Sequence, residues 1–330
     1  MTNFIEQEPT STGSVKAPYF KNLDALRFFS FLSVFLTHTI KFPGTDNSFF
    51  EVLIQIIQMN YLSVPFFFSL SSFLITYRLL MEREKENKIR LLNFYKNRIL
   101  RIWPAYFIII IIGFILFPSL AAIFHLEPPT LPSILPFLFF YVNFYIIEHG
   151  NLFTFSLLIL WSISIEEQFY IVWGMLMAII SKKIMVMITL FFLLFVSVAF
   201  SYYYLHIHPK ATSKLFLHSF FVLQNFCAGA LAAISYKQKK RFVLPGGIKR
   251  IVFGSAYFIL PVCYLFTDDF VLRNIIKSAC YGLIIYDQCF NEQPLFNAGR
   301  SIFINYLGKI SYGLYLYHAA IIVILQAMFH

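Results

Sequence analysis

Apolar residues run in long, nearly unbroken stretches, separated by short polar and basic segments. Ten such stretches lie near 23–41, 61–80, 104–125, 133–147, 165–181, 184–205, 215–236, 251–267, 271–289 and 311–329. Most are about 18 to 25 residues long, which fits helical spans of about 20 residues rather than barrel strands of about 10. The pattern predicts an all-α integral membrane protein, a polytopic helical bundle. The stretch near 133–147 is the exception. It is short, and "EPPTLPSILP" before it carries prolines that break helix.

The basic residues order these segments. They cluster at 78–101, at Lys182-Lys183, at 237–241 with Lys249-Arg250, and at Arg300 with Lys309. Cytoplasmic loops of membrane proteins collect Lys and Arg. An even number of crossings must then separate each pair of clusters, yet three segments lie between 101 and 182. The conflict disappears if 133–147 does not cross but forms a re-entrant or interfacial helix on the outer side, where buried irregular backbone is tolerated. Of the 26 Lys and Arg, 20 then fall inside, five fall outside (Lys41, Lys210, Lys214, Arg273, Lys277), and Arg27 lies in the membrane. The expectation is about nine full spans plus that one helix, with the N-terminus inside and the C-terminus outside.

Composition agrees. The chain is 59% hydrophobic and 13% charged, against about half and a quarter for a soluble domain. That leaves no room for a sizeable soluble domain. Residues 1–21 read as a polar cytoplasmic tail and 22–330 as one membrane-embedded domain. The net charge of +10 is accounted for by inner loops, so nucleic acid is not an expected partner. The four cysteines form no Cys-x-x-Cys pair and read as buried thiols. The N-terminus is not a signal peptide, because the first apolar run is too long and lacks a small-residue cleavage site.

The first span carries two ionisable residues, Arg27 and His38. Eleven residues apart, they fall within about 20° of three whole turns, share a helix face, and differ in height by about 16 Å. Asp24 precedes Arg27 by three residues and can pair with it. One reading makes Arg27 a snorkelling residue and His38 an interfacial anchor. The other turns their shared face toward the bundle or a cavity, as ionisable groups in spans usually face.

Three further stretches stand beside Arg-x10-His. They are "VPFFFSLSSFLITYRLL" followed by "FYKNRILRIWPAYF", then "WSISIEEQFYIVW", then "NYLGKISYGLYLYH". Together, and in this order over nearly the whole chain, they resemble acyltransferase family 3, the multi-span bacterial membrane O-acyltransferases. The resemblance implies an acyl-CoA-dependent enzyme of the bacterial plasma membrane. It would move an acyl group, usually acetyl, from cytoplasmic acyl-CoA to a hydroxyl of a surface or exported glycan, with no permanently bound cofactor. Partners are then the bilayer, acyl-CoA and the glycan.

On that resemblance His38 is the general base, or alternatively a transient acyl carrier. Arg27 holds donor phosphate or pantetheine oxygens, or simply pairs with Asp24. Arg98 and Arg101 form the family's Arg-x-x-Arg, a paired anion site one turn apart just before Pro104 opens the third span. Against this stands ordinary positive-inside charge. Glu166 is favoured over Glu167 at the outer start of its span, to orient His38 or bind acceptor hydroxyls. Glu167 reads as a solvated or helix-start charge. Trp161 and Tyr170 suit a sugar platform or an aromatic belt. His318, halfway through the last span, is a substrate-binding candidate. Asp287 and Asn143 are candidates for hydrogen-bond glue.

The chain departs from the family at Ser71-Ser72-Phe73, where Leu-Ser-Gly-Phe is common; serine is still small enough for close packing. Many relatives continue for another helix, and some carry a soluble esterase-like domain. Metal is not expected: no His-Glu-x-x-His is present and "HIH" at 206–208 has no further ligands nearby. There is also no Walker loop and no nucleophile elbow. The rival readings are a polytopic transporter, disfavoured by the lack of an internal repeat, and an inactive or partner-dependent relative.

Overall fold

The computed structural model describes residues 19–40, 60–125, 127–151, 153–238, 246–263, 267–290 and 294–329. Most of the expected polar tail, Lys41, and Lys239 to Arg241 lie outside these residues.

The described residues are helical. In chain order the helices are α1 (Lys21–Thr39), α2 (Asn60–Glu86), α3 (Leu91–Ile111), α4 (Phe117–Ile123), α5 (Leu135–Leu138), α6 (Val142–His149), α7 (Phe155–Leu158) and α8 (Leu160–Ile179). Then come α9 (Lys183–Ile207), α10 (Thr212–Phe216), α11 (Ser219–Lys237), α12 (Gly246–Val262), α13 (Phe270–Phe290), α14 (Ile302–Lys309) and α15 (Ser311–Phe329). Five stretches among the described residues are long and apolar enough to cross a membrane: Leu62–Glu86, Leu91–Ile123, Phe155–Ile179, Lys183–Ile207 and Ser219–Lys237. The count is six if α14 and α15 form one broken span. It falls short of the nine expected because α12 has only 17 residues, while α1 and α13 dilute their apolar runs with charge.

The chain folds into two compact units. The first contains 1–88, 187–198 and 223–311. In it α2 and α11 run parallel. The Ser69 hydroxyl donates to the Asn225 carbonyl (2.8 Å) and the Ser72 hydroxyl to the Phe226 carbonyl (2.6 Å). A Cβ at Gly229 would overlap the Ser69 carbonyl, so these two backbones meet through small residues. At the far ends, Lys237 pairs with Glu84. Helix α1 runs the other way: Phe20 at its start packs edge-on against Phe73, Tyr77 and Tyr236, with centroids 5.2–5.4 Å apart. The start of α1 and the ends of α2 and α11 therefore share one face, which gathers Arg83, Lys85 and Lys237 and is called the basic face below. Helix α13 ends there too, with Asn22 Nδ2 donating to the Gln288 carbonyl (3.2 Å). The segment 298–309 closes over α1. Its Gly299 N–H donates to Asn22 Oδ1 (2.8 Å), and a Cβ at Gly308 would overlap the Asp24 carbonyl.

The second unit contains 89–186, 199–222 and 312–330. Its frame is the antiparallel pair α3 and α8. Tyr95 donates to the Ile171 carbonyl (2.9 Å), Trp103 faces Glu167, and Gly113 is roofed by Leu157. Pro104 does not open a span: it sits inside α3. The continuous apolar stretch starts at Leu91, and its helix passes through a π turn at Ile112–Leu116 into α4. A proline costs one backbone bond, which does not stop a helix whose apolar face continues on both sides.

The stretch 133–147 is two short helices, α5 and α6, separated at Phe140, whose φ is 54°. Its irregular backbone is held by side chains. Tyr106 donates to the Phe137 carbonyl (2.9 Å) and Gln168 Nε2 to the Phe140 carbonyl (2.7 Å). Asn143 bonds Ser219 Oγ, the Leu217 carbonyl and Gln168. Satisfied carbonyls of this kind permit non-helical backbone at depth, and Asn143 serves as the glue expected of it.

Candidate functional site

Each unit holds part of the residue set expected from the sequence. In the first, α1 is unbroken from Lys21 to Thr39, so Arg27 and His38 keep the spacing of one continuous helix. Asp24 and Arg27 form the expected i,i+3 pair, 3.7 Å apart, with both side chains largely covered. His38 is half-buried near the end of α1.

In the second unit α3, α8 and α15 assemble a denser cluster. Arg98 is buried, with its guanidinium carbon 5.4 Å from the Tyr170 ring centre and 5.8 Å from that of Phe94. Tyr170 donates to Glu166 at 2.8 Å. Glu167 lies within electrostatic reach of both Arg98 and Glu166, and Trp103 Nε1 approaches it at 3.5 Å. Tyr312 and Tyr106 are also within reach of Glu167. A cation, two carboxylates and several phenols thus share one largely dry region. Such a region orients polar groups strongly, because little solvent screens them.

Several residues sit differently from expectation. Arg98 and Arg101 are not a matched pair: Arg98 is buried among rings and Arg101 is exposed. A spacing of three leaves them about 60° apart, and the packed face of α3 takes only one. Glu167 is neither solvated nor at a helix start. It is 5% exposed, seven residues into α8, and its Oε1 is buried without a hydrogen-bond partner among the described residues. Tyr170 is buried, which removes it from an aromatic belt. Trp161 is half-buried and packs against Phe216 at 5.6 Å. His318 is buried midway along α15, its Nδ1 against the Tyr315 carbonyl and its ring against Phe155. Asp287 accepts from Tyr257 (3.1 Å) and from the Leu295 N–H (3.3 Å), a bracing role.

Two buried charges escape the sequence reading. Glu167 lies on the stripe Ile163, Tyr170, Gly174 of α8, the one signal in the sequence that bears on it. Lys277, counted on the outer side from the sequence, is 2% exposed inside α13. Its stripe runs through Asn274, Ser278, Tyr281 and Gln288, and Ser278 bonds Asn225 Oδ1 at 2.9 Å. Among the described residues, no group of three or more His, Cys, Asp and Glu is arranged to hold a metal. All four cysteines are free thiols, three buried and Cys289 half-buried.

Comparison with known proteins bears on the chain as a whole. The family model described as "Acyltransferase domain" matches residues 20–330. The chain belongs to this acyltransferase family 3. It is 27% identical to a Bacillus subtilis (strain 168) protein named "Putative peptidoglycan O-acetyltransferase YrhL", over 93% of this chain and 49% of that protein. It is 25% identical to the O-acetyltransferase OatA of Staphylococcus aureus (strain NCTC 8325 / PS 47), over 94% and 52%. With the peptidoglycan O-acetyltransferase OatA of Listeria monocytogenes it shares 30% identity over 50% of this chain and 25% of the relative. The chain spans about half the length of the curated relatives it matches along most of its own length. No solved structure matches it.

Proposed function

We propose that the chain is a membrane O-acetyltransferase that moves acetyl from cytoplasmic acetyl-CoA to a hydroxyl of peptidoglycan or a related surface glycan. The observation that carries this is the family match along 20–330, together with relatives named for O-acetylation. In the balanced reaction the acceptor hydroxyl loses its proton and attacks the thioester carbonyl. The C–S bond breaks, CoA leaves as a thiol, and an oxygen ester forms.

His38 takes the hydroxyl proton, since imidazole titrates near neutrality. Arg27 and Arg98 hold donor phosphate or carbonyl oxygens, with Arg101 guiding the anion from solvent. Glu166, held by Tyr170, binds or orients the acceptor. His318, Trp161 and Tyr170 supply further substrate contacts. In this reading α1, α12 and α13 also cross the bilayer, giving the nine spans expected. The basic face then lies in the cytoplasm, as the positive-inside rule requires.

The test is the ester-linked acetate released from cell-wall glycan of cells carrying the wild-type gene, a His38→Ala version or no gene, at equal protein levels. Acetate with the wild type alone supports the reading. Equal acetate in all three sinks it.

A further inference from the structure

The first unit holds a cleft of about 440 Å³ at its basic face. Its walls are Leu26 and Phe29 of α1 and Ile304 of α14; Phe296 and Arg300 border it, and Gln288 of α13 lines its polar end. Three features bear on what fills it.

First, Gln288 is nearly covered. Its Nε2 donates to the Tyr257 hydroxyl (2.7 Å) and the Phe296 carbonyl (2.8 Å), while its Oε1 is buried with no hydrogen-bond partner among the described residues. A buried acceptor left without a donor is costly, and a donor brought into the cleft would satisfy it. Second, Arg300 is exposed at the mouth, and no described carboxylate lies within ion-pair distance of it. Among the described residues it is a cation that lacks an anion. Third, the surface around the mouth is apolar: Phe29, Leu295, Phe296, Ile302 and Phe303 are all exposed. A patch of this kind beside a basic face suits acyl chains at the inner membrane interface, so an occupant that carries its own acyl chain fits the mouth. A polyanion dissolved in water would have to cross that rim.

We propose that the cleft is a binding site for one anionic phospholipid of phosphatidylglycerol chemistry. The phosphate rests on Arg300, a glycerol hydroxyl donates to Gln288 Oε1, and an acyl chain lies along Leu26, Phe29 and Ile304. The basic face suits an anionic headgroup, because clustered Lys and Arg attract acidic lipid. The lipid would brace the segment 298–309 against α1. The test of this site does not depend on activity.

The full chain, purified in mild detergent, is titrated with phosphatidylglycerol or phosphatidylcholine, and bound lipid is counted by native mass spectrometry. The wild type should hold one phosphatidylglycerol about tenfold more tightly than phosphatidylcholine, which shares the phosphate but brings a choline cation close to Arg300 and no hydroxyl for Gln288. Arg300→Ala should remove that preference, and Ile304→Trp should block binding of both lipids at this site. Arg300 is exposed, so its variant keeps the test valid if Ile304→Trp does not fold. Equal retention of the two lipids by the wild type would overturn the proposal. So would unchanged phosphatidylglycerol binding in Arg300→Ala. Release of the bound lipid by acetyl-CoA would assign the cleft to the donor and overturn it as well.

Discussion

Arg27 and Arg98 occupy equivalent places, each about two turns into its helix, yet their surroundings differ. Arg27 has its acid on its own helix, three residues back. Arg98 has ring faces on both α3 and α8, and Glu167, within its electrostatic reach, is about 70 residues away in sequence. The first arrangement is local and stays partly balanced wherever α1 goes. The second exists only when α3 and α8 are packed. The pair of Arg27 is thus set by one helix, whereas the surroundings of Arg98 are set by two.

Removing Arg98 should produce the largest effect. Arg98→Ala removes a buried cation from the Phe94 and Tyr170 rings and from the electrostatic reach of Glu167, and should lower stability by about 3 kcal/mol. Glu167→Gln added to it should recover part of the loss, read as thermal unfolding in detergent. No recovery in the double variant would break the coupling. Asp24→Asn takes the charge from a largely covered pair but leaves an acceptor for Arg27, and should cost about 1–2 kcal/mol.

Glycine contacts separate the units in the same way. Gly308→Ala drives a methyl group into the Asp24 backbone, and Gly299→Ala meets Asn22. Each should cost about 1–3 kcal/mol, because a backbone cannot yield. Gly113→Ala meets only the Leu157 side chain, which can turn aside, and should cost less. The smallest effect is expected for Ser72→Ala. It loses the bond to the Phe226 carbonyl, about 1 kcal/mol. A cost above that of Gly308→Ala would reverse the ranking.

Much of this is legible in the sequence. Apolar run lengths place most of the long helices within a few residues, because a helix must hide its backbone polar groups wherever hydrocarbon surrounds it. The pair Asp24–Arg27 is legible because both ends lie on one turn. What is not legible depends on other helices. Pro104 looks like a start, but the amphipathic face of α3 extends a further three turns before it. Glu166 and Glu167 are neighbours, and only the packing against α3 decides which one is buried. The charge of Lys277 suggests the outer surface, although its stripe with Asn274 and Tyr281 points inward. The Arg-x-x-Arg spacing suggests a pair, but burial divides it between rings and solvent.

The central claim is acetyl transfer from a cytoplasmic thioester with His38 as the base. The most direct measurement is CoA thiol release and acetyl-ester formation in membrane vesicles supplied with acetyl-CoA and a glycan acceptor. Vesicles with the wild type should do both, and His38→Ala vesicles with equal protein should lose at least about 100-fold of the rate, the scale of a general base. Unchanged thiol release in His38→Ala, or the same release in vesicles lacking the protein, would contradict the account.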